Sequence, residues 1–236
     1  MSKKVFDVSI VIPWRKTEQR DRNEIADWCF KRYEYLFPHA EIILSDSGSE
    51  IFSRGESINK GVSECNGDYV IITDADYLFS STMASELINK QPWTIAVKQE
   101  NYFYINRITT RRILKQPFNI DIKDINFIDN VWECQYFIYG GVLAMPKKNF
   151  IKFDNMFSGY GYEDNQLFYC MKAYHGKPFR TNNKMYHLFH DRIASEDYMK
   201  KSYDNKKYHD EVWLPIQNNK KEIRKLVEQK ELYKNG

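Results

Sequence analysis

Asp74 and Asp76 stand one residue apart, directly after the apolar run Tyr69-Val-Ile-Ile72. A continuously apolar, β-branched run reads as a buried strand of a parallel sheet. Ligands of open α/β sheets sit beyond the carboxyl ends of the strands, so both carboxylates would stand where a ligand is expected. Two hard oxygen donors suit Mg²⁺ or Mn²⁺ beside a phosphate-bearing ligand. The same pair also fits a solvated turn at a strand end, and the spacing alone leaves both readings open. Other residues could add to such a site. Glu163 and Asp164 open a helical pattern, where acidic groups are favoured for helix capping alone. Gly140 and Gly141 interrupt an apolar stretch, as they would for close backbone approach to a ligand, a bulge or a plain turn. His187 and His190 fall at the end of a late strand-like stretch. On a regular strand, three residues apart, they would point to opposite faces.

The elements that must position these residues follow from periodicity. Val8 to Pro13 is a strand that Pro13 ends, and Glu41 to Ser45 a second, with Asp46 in the polar turn behind it. Between them Ile25, Trp28, Cys29, Tyr33 and Leu36 recur at helical spacing over Glu24 to Leu36. Helices are expected over Glu56 to Cys65, Ser81 to Asn89 and Glu163 to Tyr174. Strands are expected over Trp93 to Val97, Tyr136 to Met145 and Lys184 to Phe189. The βαβαβ beginning argues for an α/β fold, a mostly parallel central sheet flanked by helices. Asn101 to Asn130 is irregular and reads as short helices and loops beside a cleft. From Glu196 onward the chain is helical, polar and rich in Lys and Glu, an outer tail. The division is residues 1–195 as one domain and 196–236 as a helical C-terminal extension packed on it.

Composition narrows the function classes. The chain has 236 residues with 35 basic and 32 acidic side chains, so its net charge of +3 makes no strong electrostatic case for nucleic acid or membrane. The apolar run near the start, Val8 to Ile12, is too short for a membrane span or signal peptide, and a cytoplasmic protein is the default expectation. Cys29, Cys65, Cys134 and Cys170 are too scattered for a zinc site or a disulfide framework and read as buried free thiols.

Taken in order, several motifs resemble the GT-A glycosyltransferases, above all the β-1,4-galactosyltransferases, with chondroitin polymerases and polypeptide N-acetylgalactosaminyltransferases as neighbours. These are Pro13-Trp-Arg15, Asp46, Phe52-Ser-Arg-Gly-Glu-Ser-Ile-Asn-Lys-Gly61, Asp74-Ala-Asp76, Gly140-Gly-Val-Leu-Ala-Met-Pro-Lys-Lys-Asn-Phe150, Phe157-Ser-Gly-Tyr-Gly-Tyr-Glu-Asp164 and a late histidine. The likeness spans roughly residues 7–192. It implies a single GT-A domain and a metal-dependent, inverting transfer of a sugar from a UDP-sugar to an acceptor hydroxyl, most simply on a glycan. By position, Pro13, Arg15, Asp46, Arg54, Asp74, Gly140 and Gly141 would bind the donor. Asp46 would contact uracil and Arg54 would reach the diphosphate; otherwise Asp46 is a turn residue and Arg54 a solvated surface side chain. Asp76 and His190 would hold Mn²⁺ or Mg²⁺. His187 stands where the family has Met and would join them if a turn allows; its other reading is a packed core histidine. Asp164 would be the general base, Glu163 would hold the acceptor sugar, and Tyr160 would stack on it.

Three rivals remain. A sugar-nucleotide pyrophosphorylase would need a Gly-rich phosphate loop after the first strand, and Pro13-Trp-Arg-Lys-Thr17 lacks one. A non-catalytic nucleotide-sugar or carbohydrate-binding module would leave Glu163-Asp164 without a purpose. A transferase of the phage type could act instead on a hydroxylated base in DNA, with the Lys-rich tail on phosphates; the acids among those lysines argue against a strong basic track.

Overall fold

The computed structural model describes residues 7–88, 91–125, 131–133, 137–191 and 196–233. Cys134, the expected helix end at Asn89, the expected strand start at Tyr136 and the division at 195 lie outside them. In chain order the elements are β1 (Val8–Pro13), α1 (Arg20–Leu36), β2 (Glu41–Ser45), α2 (Arg54–Glu64), β3 (Tyr69–Ile72), β4 (Tyr77–Phe79), α3 (Ser81–Leu87), β5 (Thr94–Val97), β6 (Tyr102–Ile105), α4 (Arg107–Leu114), β7 (Val131–Glu133), β8 (Leu143–Pro146), α5 (Glu163–His175), β9 (Phe179–Thr181), β10 (Met185–His187), α6 (Glu196–Tyr208) and α7 (Lys220–Gln229).

The main sheet has the order β2-β1-β3-β8-β5-β9. β1 pairs in parallel with β2 and β3, and β5 with β9, while β8 runs antiparallel between β3 and β5. Side chains alternate across this sheet between two cores. Ile10, Ile12, Ile71 and Ala144 face α1 and its Cys29 and Tyr33; Val11, Val70, Ile72, Leu143 and Met145 face α2, α5 and α7. Burial on both faces is why these strands read as unbroken apolar runs.

A second sheet, β4-β10-β6-β7, stands apart from the first. The irregular stretch Asn101 to Asn130 contains β6 and α4 of this region. The strand expected from Tyr136 begins only after the paired glycines, as β8 at Leu143. The C-terminal helices are not a solvated tail alone. Trp213, Ile223, Val227 and Leu232 join the core shared with α5, and Asp154, itself buried, takes the Tyr208 hydroxyl at 2.7 Å and Lys230 at 3.1 Å. Cys29, Cys65 and Cys170 are buried free thiols. Among the described residues no helix is long and apolar enough to cross a membrane.

Candidate active site

The turn that carries Asp74 and Asp76 joins β3 to β4, so it bridges the two sheets. It is pinned from three sides. The Tyr33 hydroxyl lies 2.9 Å from the Asp74 carbonyl and 2.8 Å from that of Tyr77. Thr73 N–H donates to Val11 O at 3.1 Å, and Leu188 N–H donates to Asp76 O at 2.9 Å. The last contact sets the histidines. β10 pairs His187 with Tyr77 and ends at that residue. Because the strand stops there, the alternation that would separate the two rings does not extend to His190. Asp76, His187 and His190 converge, each offering one ligand atom within 4.8 Å of the others. Asp76 Oδ2 lies 3.1 Å from His190 Nε2 and 3.8 Å from His187 Nε2.

The donor set fits a divalent cation. Nδ1 of His190 lies 3.0 Å from the Asp191 carbonyl oxygen. That oxygen can only accept, so Nδ1 carries the proton. In the neutral ring Nε2 is then a lone pair facing a carboxylate oxygen, an arrangement that calls for a proton or a metal between them. Asp76 Oδ1 is buried with no hydrogen-bond partner among the described residues, an orphan acceptor of the kind an ion would satisfy. Burial pushes Asp76 upward, but the neighbouring His187 and the His190 hydrogen bond outweigh it and hold the carboxyl at about 2. Burial lowers the His187 pKa, which favours the neutral, ligating ring.

Arg54 is the hub of the second half of the site. It is 5% exposed, far from a solvated surface side chain. Its Nε donates to Asp74 Oδ1 at 2.8 Å, Nη1 donates to Asp164 Oδ1 at 2.8 Å, and Glu163 Oε1 lies 3.7 Å from Nη1. One guanidinium therefore ties the Asp-X-Asp turn to the start of α5. Burial, with Asp76 adding to it, raises Asp74 to about 6 despite Arg54. Burial, then Asp164, raises Glu163 to about 7. Glu163 Oε2 also accepts from Gly161 N–H at 2.6 Å. Gly140 closes against the same acids: a Cβ there would lie 2.2 Å from the Asp164 carboxyl, so any larger residue would have to displace that carboxyl. Gly141 has φ 88° and approaches the Tyr77 hydroxyl. Gly140, Gly141, Tyr160, Glu163 and Asp164 line one cleft of about 210 Å³, with Tyr77 and Tyr104 on its far wall. Tyr160 is 55% exposed at its mouth.

Pro13, Arg15 and Asp46 lie at the carboxyl ends of β1 and β2. Arg15 and Asp46 form a two-pronged pair at 2.9 and 2.6 Å, and Arg15 also donates to Ser49 O at 2.7 Å. Both oxygens of Asp46 are thus engaged by Arg15. The predicted polar site residues fall into three groups: this pair, the Arg54 hub and the Asp76 triad, the last two joined through the Asp74–Asp76 turn. Sequence reasoning missed Tyr33, whose hydroxyl holds the Asp-X-Asp turn, and the tyrosines of the cleft wall. Tyr77 follows Asp76 directly and was the one within reach; Tyr33 reads as an ordinary core position of α1.

Among solved structures, the chain is similar to a mutant of the Drosophila β1,4-galactosyltransferase 7 in complex with manganese, UDP-Gal and xylobiose, at 14% identity and a TM-score of 0.49, covering 83% of this chain and 79% of that one. It is also similar to GalNAc-T7 with UDP, GalNAc and Mn²⁺, at 11% identity and a TM-score of 0.47, covering 97% of this chain and 56% of that one. A third is the glucosyl-3-phosphoglycerate synthase of Mycobacterium tuberculosis with Mn²⁺, UDP and glucosyl-3-phosphoglycerate, at 13% identity and a TM-score of 0.42, covering 84% and 76%. No curated protein matches the sequence. Residues 125–191, the stretch that supplies the paired glycines, the two acids of α5 and both histidines, match the family model described as the N-terminal domain of galactosyltransferase.

Proposed function

We propose that the chain is a metal-dependent glycosyltransferase that moves a sugar from a UDP-sugar to an acceptor hydroxyl of a glycan, with inversion at the anomeric carbon. The observation that carries this reading is the Arg54 hub, which, through Asp74, joins the turn of a partly buried Asp–His–His cation site to two further acids in one cleft. Asp76, His187 and His190 would hold Mn²⁺ or Mg²⁺. Such an ion, when bound, supplies positive charge to the departing diphosphate. The similarity of residues 125–191 to a galactosyltransferase domain supports the same class.

The remaining chemistry belongs to side chains. An attacking hydroxyl must lose a proton, and the acids at the start of α5 are the groups placed to take it. Access decides between them. The Asp164 side chain is 27% exposed and Glu163 3%, and Glu163 is already engaged by Gly161 N–H. Asp164 therefore takes the proton, and Glu163 shapes the acceptor end of the cleft. Gly140 lets the Asp164 carboxyl lie flat against the backbone. Arg54 orients Asp164 and Asp74 together, so the donor end and the base share one anchor. Asp74 faces the ribose or sugar of the donor, and Arg15 and Asp46 hold its nucleotide edge.

The test is UDP release from UDP-galactose, UDP-glucose and UDP-N-acetylgalactosamine with Mn²⁺, with Mg²⁺ and with chelator. Metal-dependent release from one donor is the expected result; none from any donor, with no metal-dependent UDP binding, refutes the reading. Asp164→Asn is expected to lower turnover about 10²–10⁴-fold, the range for a lost general base, while UDP still binds.

A further inference from the structure

The two histidines of the cation site hang from one continuous support. β6 pairs with β10 and sets His187 beside Tyr104, with ring centroids 5.4 Å apart. α4 follows β6 after a single residue, Asn106, whose side chain caps it by accepting from Thr109 N–H at 2.8 Å. Arg107 and Thr110 stand three residues apart on one face of α4, and both reach the stretch that carries His190. Thr110 is 2% exposed, and its Oγ1 accepts from Phe189 N–H at 2.8 Å. The Arg107 guanidinium lies over the Phe189 ring, 4.9 Å from its centroid. Its Nη2 donates to both carboxylate oxygens of Asp191, at 2.6 and 2.7 Å, and its Nη1 donates to Asp21 of α1 at 3.4 Å.

An exposed ion pair by itself fixes little, and the Arg107 and Asp191 side chains are 42% and 59% exposed. Here the pair does not act alone, because every residue from 188 to 191 is fastened. Leu188 N–H is held by Asp76 O at 2.9 Å, Phe189 by Thr110 and the Arg107 guanidinium, and Asp191 by Arg107. What they fix between them is the His190 ring. The Asp191 carbonyl oxygen accepts from Nδ1, which leaves Nε2 as the lone pair 3.1 Å from Asp76 Oδ2. A ligating histidine is oriented through the nitrogen that does not bind the metal, and loss of such support costs about 10–100-fold in affinity.

We infer that Arg107 is a positioning residue for His190: its grip on Asp191, with the Phe189 ring beneath it, fixes the carbonyl that aims the imidazole at Asp76. Thr110 serves the same end through the Phe189 backbone. This inference rests on the cation-site reading for its function, but ring orientation is a property of the metal-free chain and is read there as well. The sign of the effect separates it from plain electrostatics. Arg107 is a cation that touches both chain neighbours of His190, so loss of its charge alone would tighten Mn²⁺ binding. Loss of positioning loosens it.

The experiment compares the full chain with Arg107→Met, Arg107→Lys and Arg111→Met in two readings. One is Mn²⁺ titration calorimetry. The other is long-range ¹H–¹⁵N NMR of the histidine rings without metal at about pH 8, above the ordinary histidine range, with His190 assigned by its absence from His190→Ala. Arg107→Met is expected to weaken Mn²⁺ binding about tenfold and to turn the single Nδ1–H form of the His190 ring into a mixture of both tautomers. Arg107→Lys keeps the charge but not the planar group that lies over Phe189 while reaching Asp191 and Asp21, and loses part of the same affinity. Arg111→Met, whose guanidinium reaches Asp21 at 3.5 Å, loses none. Unchanged or tighter binding by Arg107→Met, or a His190 ring that keeps its one form, overturns the inference. It does so even where that variant melts at a lower temperature, because Arg107 would then be a brace and no more. Should Arg107→Met fail to fold, Arg107→Lys decides by the same two readings. No Mn²⁺ binding by the unmodified chain would refute the cation site separately, and the ring spectra alone would then decide the role of Arg107.

Discussion

Arg54→Met is the most informative single perturbation. The guanidinium is 5% exposed and stands within 2.8 Å of Asp74 and Asp164 and 3.7 Å of Glu163. Methionine fills much of the same volume but leaves three acids with no cation. Removing one partner from a buried ion pair costs about 3–5 kcal/mol. For a chain of this size each kcal/mol moves the melting temperature by about 2–4 °C, so the loss is roughly 6–20 °C. Its pH dependence identifies the cause. Glu163 and Asp74 are already raised, to about 7 and about 6, with Arg54 pulling both down. Without Arg54 both rise further. An acid whose pKa is higher in the folded state loses stability as pH rises, because the unfolded chain ionises first. The variant should therefore be close to the unmodified protein near pH 5, where the acids are protonated, and far below it at pH 8. Thermal unfolding by circular dichroism across that range is the assay. A loss below about 1 kcal/mol, or one equal at both ends of the range, would refute the account of Arg54 as the charge that holds these acids together.

Three further outcomes follow from the same geometry. Asp76→Asn and His190→Ala should each weaken Mn²⁺ binding, measured by titration calorimetry, by at least the 10–100-fold seen when mere supporting residues of metal sites are lost; unchanged affinity would move the cation elsewhere. Glu163→Gln should remove a stability slope of about 3 kcal/mol between pH 4.5 and 7, because Glu163 rises from its ordinary 4.5 to about 7 on folding; the unmodified chain should lose stability upward through that window and the variant should lose less. Gly140→Ala places a Cβ 2.2 Å from the Asp164 carboxyl, and a displacement of about 1 Å near a reacting group can cost about 10²-fold in turnover; steady-state transfer rates at full UDP-sugar saturation decide it.

The parts of the molecule legible in the sequence are those where a local signal was strong. β1, β2 and β3 keep the bounds expected of them because each is an apolar or β-branched run paired in the main sheet, with β1 and β3 buried and β2 at its edge. The start of α5 at Glu163 was readable from its periodic apolar residues and its two leading acids. The second sheet was mostly invisible. Its β10 falls inside the strand expected over Lys184 to Phe189, but β4 and β7 have three residues each, too few for an alternation to register. For the same reason the end of β10 at His187, which lets His187 and His190 meet at one carboxylate, was an open alternative. Arg54 illustrates the other limit. Its partners lie 20 and 110 residues away, and an Arg among polar neighbours carries no local mark of burial. Asn205 of α6, buried against the Ser158 backbone at 3.1 and 2.8 Å, was hidden by the lysines and acids around it, which read as a solvated face.

The position of β10 has a consequence for how the protein comes off the ribosome. β10 is inserted between β4 and β6, with Met185–His187 paired in parallel to Tyr102–Tyr104 and antiparallel to Tyr77–Phe79. Until residue 190 has emerged, the nascent chain can assemble β1, β2 and β3 but holds Asp76 without both imidazoles. Pairings of such long sequence separation form late. A growing or prematurely ended chain would therefore carry the first three strands of the main sheet and yet lack the full set of groups that could hold a divalent ion at Asp76. Cation binding then reports completion: only a chain made through His190 and closed around β10 can be loaded, and the ion itself would lock that final strand in place.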